Sequence, residues 1–280
     1  MTPKEFLTSF WIESGGEYTC LRMRQGRVCM WPFHRARLAL DASQGDALPG
    51  EIARAATDAF GAAASTKDLM ITIVNVNGRH HIHVCAMPGL SFVDDANNGV
   101  PQVTAVDVLV LGPARQNPRV KHISWIDERK YLEAAAAEKA AELGLGSFGE
   151  VLLSQRDATS DSHRLLEGLI TNFFVLQNGR LCTAGDDVLL GSTRELVLRA
   201  CERLRIPVVH EPPVLEESAT WEAAFVTSVV RIIVPVKTLR RHDAGTWHTH
   251  AISTAPDRLH QLRSTIYELC DAEARASFEL

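Results

Sequence analysis

The amino-acid sequence predicts an α/β protein of two domains. Strand and helix patterns alternate in the first third of the chain, a stretch rich in Pro, Gly, Asp and Asn follows near residues 88–103, and a second series of strands and helices begins beyond it. We place an N-terminal α/β domain at residues 1–94, a linker at 95–103 and a larger C-terminal domain at 104–280. With 46% hydrophobic residues, a chain of 280 residues can bury two modest cores.

The first domain is predicted to contain two hairpins with helices between them. EYTCLRM and RVCMW predict a hairpin around Gln25–Gly26, and DLMITIVNV and HHIHVCAM predict another around Asn77–Gly78, a dipeptide typical of tight turns. Apolar residues recur at helical spacing in FHRARLALDAS and in GEIARAATDAFGAA, so we expect helices there.

The second domain is predicted to begin with the buried strand VDVLVLG and a helix over residues 125–143 that stops at Gly144. Short strands are expected in EVLLS, RLLEGLI, FFVLQ and RLCTA. A helix opening at Gly191-Ser192-Thr193, the strands IPVVHE, AAFVTSVV and IIVPV, and a terminal helix from Pro256 complete the expected order.

Composition excludes several classes of protein. The chain has 29 basic and 34 acidic residues and no basic block, so we expect no nucleic-acid partner. We expect no association with membranes either, because no stretch approaches the ~20 apolar residues of a membrane span. The first residues lack the features of a signal peptide, and the six cysteines form no C-x-x-C pair. These observations predict a cytoplasmic protein with reduced thiols.

Histidines occur in two pairs at strand spacing. His81 and His83 share one strand face, and His248 and His250 repeat the spacing. Two imidazoles could share a metal ion, but a site needs further ligands, and the neighbouring sequence offers none. We therefore expect polar strand faces and no metal.

Glu167 is an unusual carboxylate, because it stands among leucines in RLLEGLI, where a buried strand is expected. An isolated buried charge is costly, so a positive group should face it. That partner is either an arginine of the protein or a ligand.

Other segments could bind an anion. Ser192 and Glu195 fit the S-x-x-E pattern of a capping box, but the same helix start, with its free N–H groups and hydroxyls, could hold an anion. Thr227 and Ser228 are ordinary strand residues or a second pair of hydroxyl donors.

Two basic residues complete the candidate chemistry. Arg37 follows His34 by one helical turn and is either solvated or a planar anion donor. Lys121 follows a Pro-containing turn and precedes apolar residues, a context that could make its amine a nucleophile for aldehydes. An amine, a buried carboxylate, an arginine and anion donors are together what pyridoxal 5'-phosphate requires, with its aldehyde, its ring nitrogen and its phosphate.

The motifs that contain these residues resemble those of class IV aminotransferases, the fold-type IV group of pyridoxal-phosphate enzymes. KHISWI resembles the K-H-L-N context of the Schiff-base lysine, which implies that role for Lys121. EGLITNFF resembles E-G/T-x-x-x-N-h-F, which implies that Glu167 binds the pyridine nitrogen. LLGSTR resembles the phosphate motif L-x-G-I-T-R, with Ser192 in place of isoleucine, and implies cofactor contacts by Leu189, Ser192 and Thr193.

The resemblance continues in three further places. HRARL resembles the H-x-x-R-L helix, so Arg37 inherits the role of phosphate ligand, and Tyr18 resembles a tyrosine near the substrate. FVTSVV followed by VPV resembles the second phosphate segment F-h-[TS]-[SG]-T. Its last threonine is Val229 here, so the Ser228 hydroxyl and the Val229 amide remain and one hydroxyl contact is lost.

The resemblance implies a smaller N-terminal and a larger C-terminal domain with the site in the interdomain cleft, and a homodimer. It implies transamination between an amino acid and a 2-oxo acid. Three alternatives stay open: a lyase resembling aminodeoxychorismate lyase, a cofactor-binding protein with vestigial activity, and a metal-dependent hydrolase. No clear counterpart of the family's carboxylate-binding arginine is found, although Arg79 or His81 could substitute. The substrate and its L or D configuration stay open.

Overall fold

The computed structural model describes residues 1–9, 16–87, 92–93, 102–254 and 256–277. The described residues form two compact units. The first falls within Met1–Gly89, Val120–Glu128 and Tyr267–Leu280, and the second falls within Leu90–Arg119 and Arg129–Ile266. This grouping assigns two later segments to the N-terminal unit, which the predicted continuous domains did not. Most of the predicted linker lies outside the described residues, and the predicted domain boundaries stay a prediction.

The first unit contains a four-stranded antiparallel sheet of strand order β2-β1-β3-β4. Its strands are β1 (Glu17–Arg24), β2 (Arg27–Val28), β3 (Leu69–Val76) and β4 (Arg79–Ala86). Both predicted hairpins are confirmed. Their turn residues, Gln25–Gly26 and Asn77–Gly78, all have positive φ, which is the conformation of the turns that favour Asn and Gly.

Three helices precede or separate these strands: α1 (Pro3–Thr8), α2 (Trp31–Arg37) and α3 (Ala42–Phe60), with a 3-10 turn at Gly61–Ser65. The helix predicted in GEIARAATDAFGAA begins earlier than expected, because the Asp41 side chain accepts a hydrogen bond from the Gln44 backbone and caps the first turn. Helix α3 packs Leu48 and Ile52 with Leu21 and Ile71 of the sheet.

The predicted helix over residues 125–143 is two helices, α4 (Trp125–Glu128) and α5 (Lys130–Glu142). They are separated at Arg129, which has a φ of −90° and a ψ of −6° and is fixed by side-chain bonds to Glu133 and to the Leu169 carbonyl. The predicted stop at Gly144 is confirmed, since that glycine has a φ of 64°.

The second unit contains a nine-stranded mixed sheet. Its strands are β7 (Val106–Val110), β8 (Glu150–Arg156), β9 (His163–Gly168), β10 (Asn172–Gln177), β11 (Arg180–Cys182), β12 (Val208–Val209), β13 (Trp221–Thr227), β14 (Val234–Asp243) and β15 (Thr246–Ala251). The short strands β5 (Phe92–Val93) and β6 (Gln102–Val103) form a separate pair. The remaining elements are α6 (Ser192–Leu204), a 3-10 turn at Leu215–Thr220 and α7 (Pro256–Ser277).

Six strands of this sheet close into a ring, because β9 pairs with β10 as well as with β8. The order around the ring is β10-β13-β14-β7-β8-β9. Phe173, Val175, Leu165 and Leu239 are among the buried residues of its core. None of the helices in the described part of the chain has the length and apolar character of a membrane span.

Candidate active site

Lys121 lies beside the start of β1 in the first unit. The Tyr18 N–H donates to the Lys121 carbonyl (2.8 Å), and the Ile123 N–H donates to the Gly16 carbonyl (3.0 Å), so residues 121–123 follow the strand edge. The Lys121 Nζ lies 4.8 Å from the centre of the Tyr18 ring. The backbone therefore fixes the predicted Schiff-base lysine next to the predicted substrate-binding tyrosine.

Helix α2 brings Arg37 and His34 to the same region of the first unit. Burial lowers the pKa of Arg37 to about 10, and the nearby Cys20 and Tyr18 side chains oppose this shift. The guanidinium thus stays charged at neutral pH and stacks on the Phe33 ring at 4.7 Å.

His34 is the buried neighbour of this arginine, and its Nδ1 is 2.7 Å from the Thr19 hydroxyl. Burial lowers the pKa of His34 well below its ordinary value, and the positive charges of Arg37 and Lys121 add to the shift. His34 is therefore neutral at physiological pH and leaves Arg37 as a strong cation beside it.

Glu167 lies at the end of β9 in the second unit and is only 4% exposed. Its Oε1 accepts a hydrogen bond from Nε of Arg115 at 2.8 Å, and its Oε2 accepts one from the Leu189 backbone N–H at 3.0 Å. Of the two partners that the sequence left open, the structure shows an arginine of the protein, Arg115, facing Glu167.

The N–H groups of Arg115 and Leu189 donate to one oxygen each of this carboxylate. An ionised carboxyl oxygen can accept more than one hydrogen bond. Arg115 itself donates to the Pro118 carbonyl, which fixes its direction. The role of Glu167 toward a pyridine nitrogen stays a prediction that this geometry permits.

The ends of β9 and β13 and the start of β10 lie side by side and form one rim of the ring. Asn172 pairs with Glu167 on β9 and with Thr227 on β13. Its side-chain amide donates to the Leu189 carbonyl at 2.6 Å. Leu189 is thus held through both backbone groups, by Glu167 and by Asn172.

Helix α6 begins at Ser192, three residues beyond Leu189, with Gly191 as its N-cap. Of the two alternatives for this segment, the capping box does not form: Ser192 is the first helical residue, and no side chain caps the helix. The first N–H groups of a helix have no partner within it, so they are available to an anion together with the buried Ser192 and Thr193 hydroxyls. A side chain at Gly191 would not fit, because its Cβ would lie 2.4 Å from Oδ1 of Asn172.

The end of β13 carries a buried hydroxyl with no partner among the described residues. Thr227 is 1% exposed, and its Oγ1 has no hydrogen bond. Buried hydroxyls normally find a partner, so this one fits a bound acceptor. The following Ser228 hydroxyl accepts the Arg231 N–H at 3.2 Å and keeps its own proton to donate. Val229 lies in the same turn, where only its backbone can bind a ligand.

The donor set of each unit fits a phosphorylated aldehyde cofactor. The second unit offers an uncapped helix start, an unpartnered buried hydroxyl and a buried carboxylate. The first unit offers an amine and a buried cation. No cluster of three or more metal-binding side chains was found in the part of the chain that the structure describes.

Two features of the site could not be predicted from the sequence: the role of Arg115 and the burial of the Thr227 hydroxyl without a partner. Arg115 lies in an irregular loop 52 residues before Glu167, and no local pattern connects the two. The sequence shows Thr227 as one of two adjacent hydroxyl residues. That its hydroxyl is buried without a hydrogen-bond partner becomes visible only in the paired strands.

A sequence profile of the family described as Amino-transferase class IV matches residues 16–239. The chain belongs to the class IV aminotransferases, a family of transaminases whose cofactor is pyridoxal 5'-phosphate. The predicted α/β fold of the fold-type IV group is confirmed with it.

Known proteins similar to the chain include both transaminases and a lyase. A curated protein of Methanocaldococcus jannaschii, described as a candidate branched-chain-amino-acid aminotransferase, is 35% identical over 78 residues, which is 27% of this chain and 27% of that protein. The chain thus aligns with about a quarter of that relative's length.

Two solved structures share the fold over almost the whole chain. A Mycobacterium tuberculosis protein described as a hypothetical aminotransferase, bound to alpha-ketoglutarate and PMP, superposes with a TM-score of 0.66 and 14% identity and covers 96% of this chain and 92% of its own. A candidate 4-amino-4-deoxychorismate lyase of Legionella pneumophila gives a TM-score of 0.65 and 12% identity over 91% of each chain.

Proposed function

We propose that this protein moves an amino group between an amino acid and a 2-oxo acid with pyridoxal 5'-phosphate held covalently by Lys121. The observation that carries the proposal is the rim of the second unit's ring, where Glu167, the uncapped start of α6 and the unpartnered Thr227 hydroxyl lie on adjacent segments. These groups match the ring nitrogen and the phosphate of the family's cofactor.

Lys121 is proposed as the residue that binds the cofactor and moves the proton. When bound, the cofactor supplies an aldehyde and an electron-withdrawing ring that stabilises negative charge on the substrate carbon. The Lys121 amine would hold the aldehyde carbon of this cofactor, and as a base it would move the proton of the substrate carbon. Backbone hydrogen bonds hold the Lys121 main chain beside Tyr18.

Glu167 is proposed to accept a hydrogen bond from the ring nitrogen and to keep it protonated. A negative carboxylate favours the protonated form of a neighbouring base. Arg115 faces this carboxylate with the opposite charge, and its Nε lies 2.8 Å from Oε1 of Glu167.

The phosphate is proposed to bind the N–H groups of Ser192 and Thr193, the hydroxyls of these residues and of Ser228, the Val229 amide and the Arg37 guanidinium. Thr227 adds its free hydroxyl. Tyr18 is proposed to contact the substrate, because its ring lies beside the Lys121 amine.

Borohydride reduction followed by peptide mass mapping tests the proposal. The mass of the reduced cofactor should appear on the peptide that contains Lys121, and Lys121→Ala should abolish it while Lys130→Ala, a change on the surface of α5, should not. Modification at Lys130 or Lys237 would contradict the assignment.

An amino-donor screen with product analysis then defines the reaction. Transfer of the amino group to a 2-oxo acid is expected. Cleavage of aminodeoxychorismate to pyruvate without transfer would identify a lyase instead, and cofactor binding without either reaction would identify a vestigial enzyme.

We further propose a homodimer in the cytoplasm. The family resemblance supports the dimer, and the six free cysteines agree with a reducing compartment. Light scattering of the purified protein at micromolar concentration measures the mass against the 30.8 kDa of one chain.

A further inference from the structure

A second buried carboxylate, Glu150, contacts two segments of the candidate site. Glu150 is the first residue of β8 and is 6% exposed. One of its oxygens accepts the Val151 N–H at 3.0 Å. The other accepts the Thr171 hydroxyl at 2.8 Å and lies 3.6 Å from Nη1 of Arg231. None of the roles proposed above uses this carboxylate.

The bond to Thr171 reaches the hairpin that carries Glu167. Thr171 lies in the tight turn between β9 and β10, and its carbonyl accepts the Gly168 N–H at 2.8 Å. Position 168 has no room for a side chain, because a Cβ at Gly168 would lie 2.2 Å from the Thr171 hydroxyl oxygen and 2.7 Å from Cδ of Glu150. A shift of Glu150 would therefore move this turn and, with it, the end of β9.

The ion pair with Arg231 reaches the turn that carries Ser228. The Arg231 N–H donates to the Ser228 hydroxyl, the Ile232 N–H donates to the Ser228 carbonyl at 2.8 Å, and the Arg231 guanidinium donates to the Gly149 carbonyl at 2.8 Å. Ile232 has a φ of 54°, a conformation that β-branched residues avoid. Such a turn persists only where its surroundings hold it.

We propose that Glu150 is a positioning residue that ties the hairpin of Glu167 to the turn of Ser228, so that the ring-nitrogen partner and the phosphate donors keep one fixed separation. This inference rests on the proposed function. Burial raises the pKa of Glu150, while Arg231, the Val151 N–H, Thr171 and Arg129 favour its charged form. Burial disfavours the charged form of this carboxylate, and its bonds to two segments give a reason for its presence: it holds them together.

Binding of pyridoxal phosphate and of pyridoxal to four variants tests the proposal. Glu150→Gln keeps the size of the side chain but removes the charge that faces Arg231. Ser228→Ala removes one proposed phosphate donor, and the double variant measures their coupling. Glu216→Gln is the matched control, because Glu216 is also a carboxylate that accepts hydrogen bonds, but from His163 at the opposite end of β9.

Glu150→Gln should weaken the binding of pyridoxal phosphate by roughly threefold to tenfold, which lies in the lower part of the range that coupled residues of one network show. The loss for pyridoxal, which has no phosphate, should be smaller. Ser228→Ala should cost less affinity in the Glu150→Gln background than in the wild type, because the turn is already displaced. Glu216→Gln should bind both ligands like the wild type.

Equal losses for the two ligands, or an effect of Ser228→Ala that is unchanged in the double variant, would show a merely structural role and overturn the inference. If Glu150→Gln does not fold, Glu150→Asp replaces it, since the shorter side chain keeps the charge but cannot reach both Thr171 and Arg231. A wild-type protein that binds no pyridoxal phosphate would instead refute the proposed function. Normal binding by the wild type with normal binding by both Glu150 variants would refute the positioning role alone.

Discussion

The Glu167 carboxylate accepts hydrogen bonds from Arg115 and from the Leu189 backbone, so a change of this residue affects both stability and chemistry. Glu167→Gln should lower the free energy of unfolding by roughly 1–3 kcal/mol, because an amide oxygen cannot satisfy both donors. Turnover should fall much further than cofactor binding, since an amide does not keep the ring nitrogen protonated.

Denaturant unfolding, cofactor titration and single-turnover kinetics separate these effects. Glu195→Gln, a carboxylate of α6 that is not part of the Glu167 pair, is the control. Full turnover by a folded, loaded Glu167→Gln protein would show that Glu167 serves only to pair with Arg115.

His34 gives the fold a defined dependence on pH. Its pKa is lowered in the folded state, so below the ordinary pKa of 6.5 the unfolded chain binds a proton that the folded chain does not. Stability contributed by neutral His34 is therefore present above that pKa and is lost as the pH falls. Between about pH 7.5 and about pH 5.5 the loss should be about 1.4 kcal/mol.

Unfolding of His34→Asn and of the wild type at both pH values measures this contribution. The variant should lose about 1.4 kcal/mol less than the wild type over that range. His260→Asn, a change at an exposed position of α7, serves as the control. An identical pH dependence in wild type and His34→Asn would show that His34 accepts its proton in the folded state.

Among single residues, those that stand in recognisable motifs could be predicted from the sequence. Residues whose role depends on partners far away in sequence could not. Lys121, Glu167 and Arg37 stand in motifs that can be recognised without a structure. Arg115 cannot be found that way, because an ion pair between a loop and a strand 52 residues apart leaves no periodic signal.

Among the elements, helix α6 shows why a motif can be recognised while its local structure is misjudged. The sequence S-x-x-E fits a capping box, but Gly191 takes the N-cap position because only a residue without a side chain fits against Asn172. The helix start is therefore uncapped, and the strands that bring Asn172 there are far away in the sequence. Helix periods, hairpin turns and the stop at Gly144 were predictable, since each depends on a few adjacent residues.

The uncapped start of α6 leads to a prediction about the phosphate. Arg37→Ala should weaken the binding of pyridoxal phosphate by roughly tenfold to a hundredfold, because a charge-assisted hydrogen bond contributes about 1.5–3 kcal/mol. Thr193→Ala should cost less, since the backbone N–H groups and the helix dipole remain.

Titration of both variants with pyridoxal phosphate and with pyridoxal provides the measurement. The losses should largely vanish with pyridoxal, which lacks the anion. Arg35→Ala is the matched control, because Arg35 lies on the same helix and faces Asp46. Losses of equal size for both ligands would mean that Arg37 and Thr193 act on stability and not on a phosphate.

For the molecule as a whole, the two-part α/β organisation was predictable from the alternation of strands and helices, but the assignment of residues 120–128 to the first unit was not. That assignment depends on backbone hydrogen bonds from residues 121–123 to the start of β1, which join segments far apart in sequence. Its consequence is that Lys121 and Glu167 belong to different compact units.

This division predicts the pattern of protection that the cofactor gives the whole chain. If one pyridoxal phosphate contacts Lys121 and Arg37 as well as the start of α6, its binding should slow amide hydrogen exchange in peptides of both units, around residues 17–24 and 189–196. Binding to the folded state stabilises it by mass action, about 2.7 kcal/mol at a hundredfold excess over Kd. Inorganic phosphate, which offers only the anion, should protect the peptide around 189–196 more than the one around 17–24. Hydrogen exchange followed by mass spectrometry, with Lys121→Ala as the comparison, measures both peptides in one experiment. Protection by pyridoxal phosphate confined to a single unit would contradict a cofactor that contacts both sets of residues.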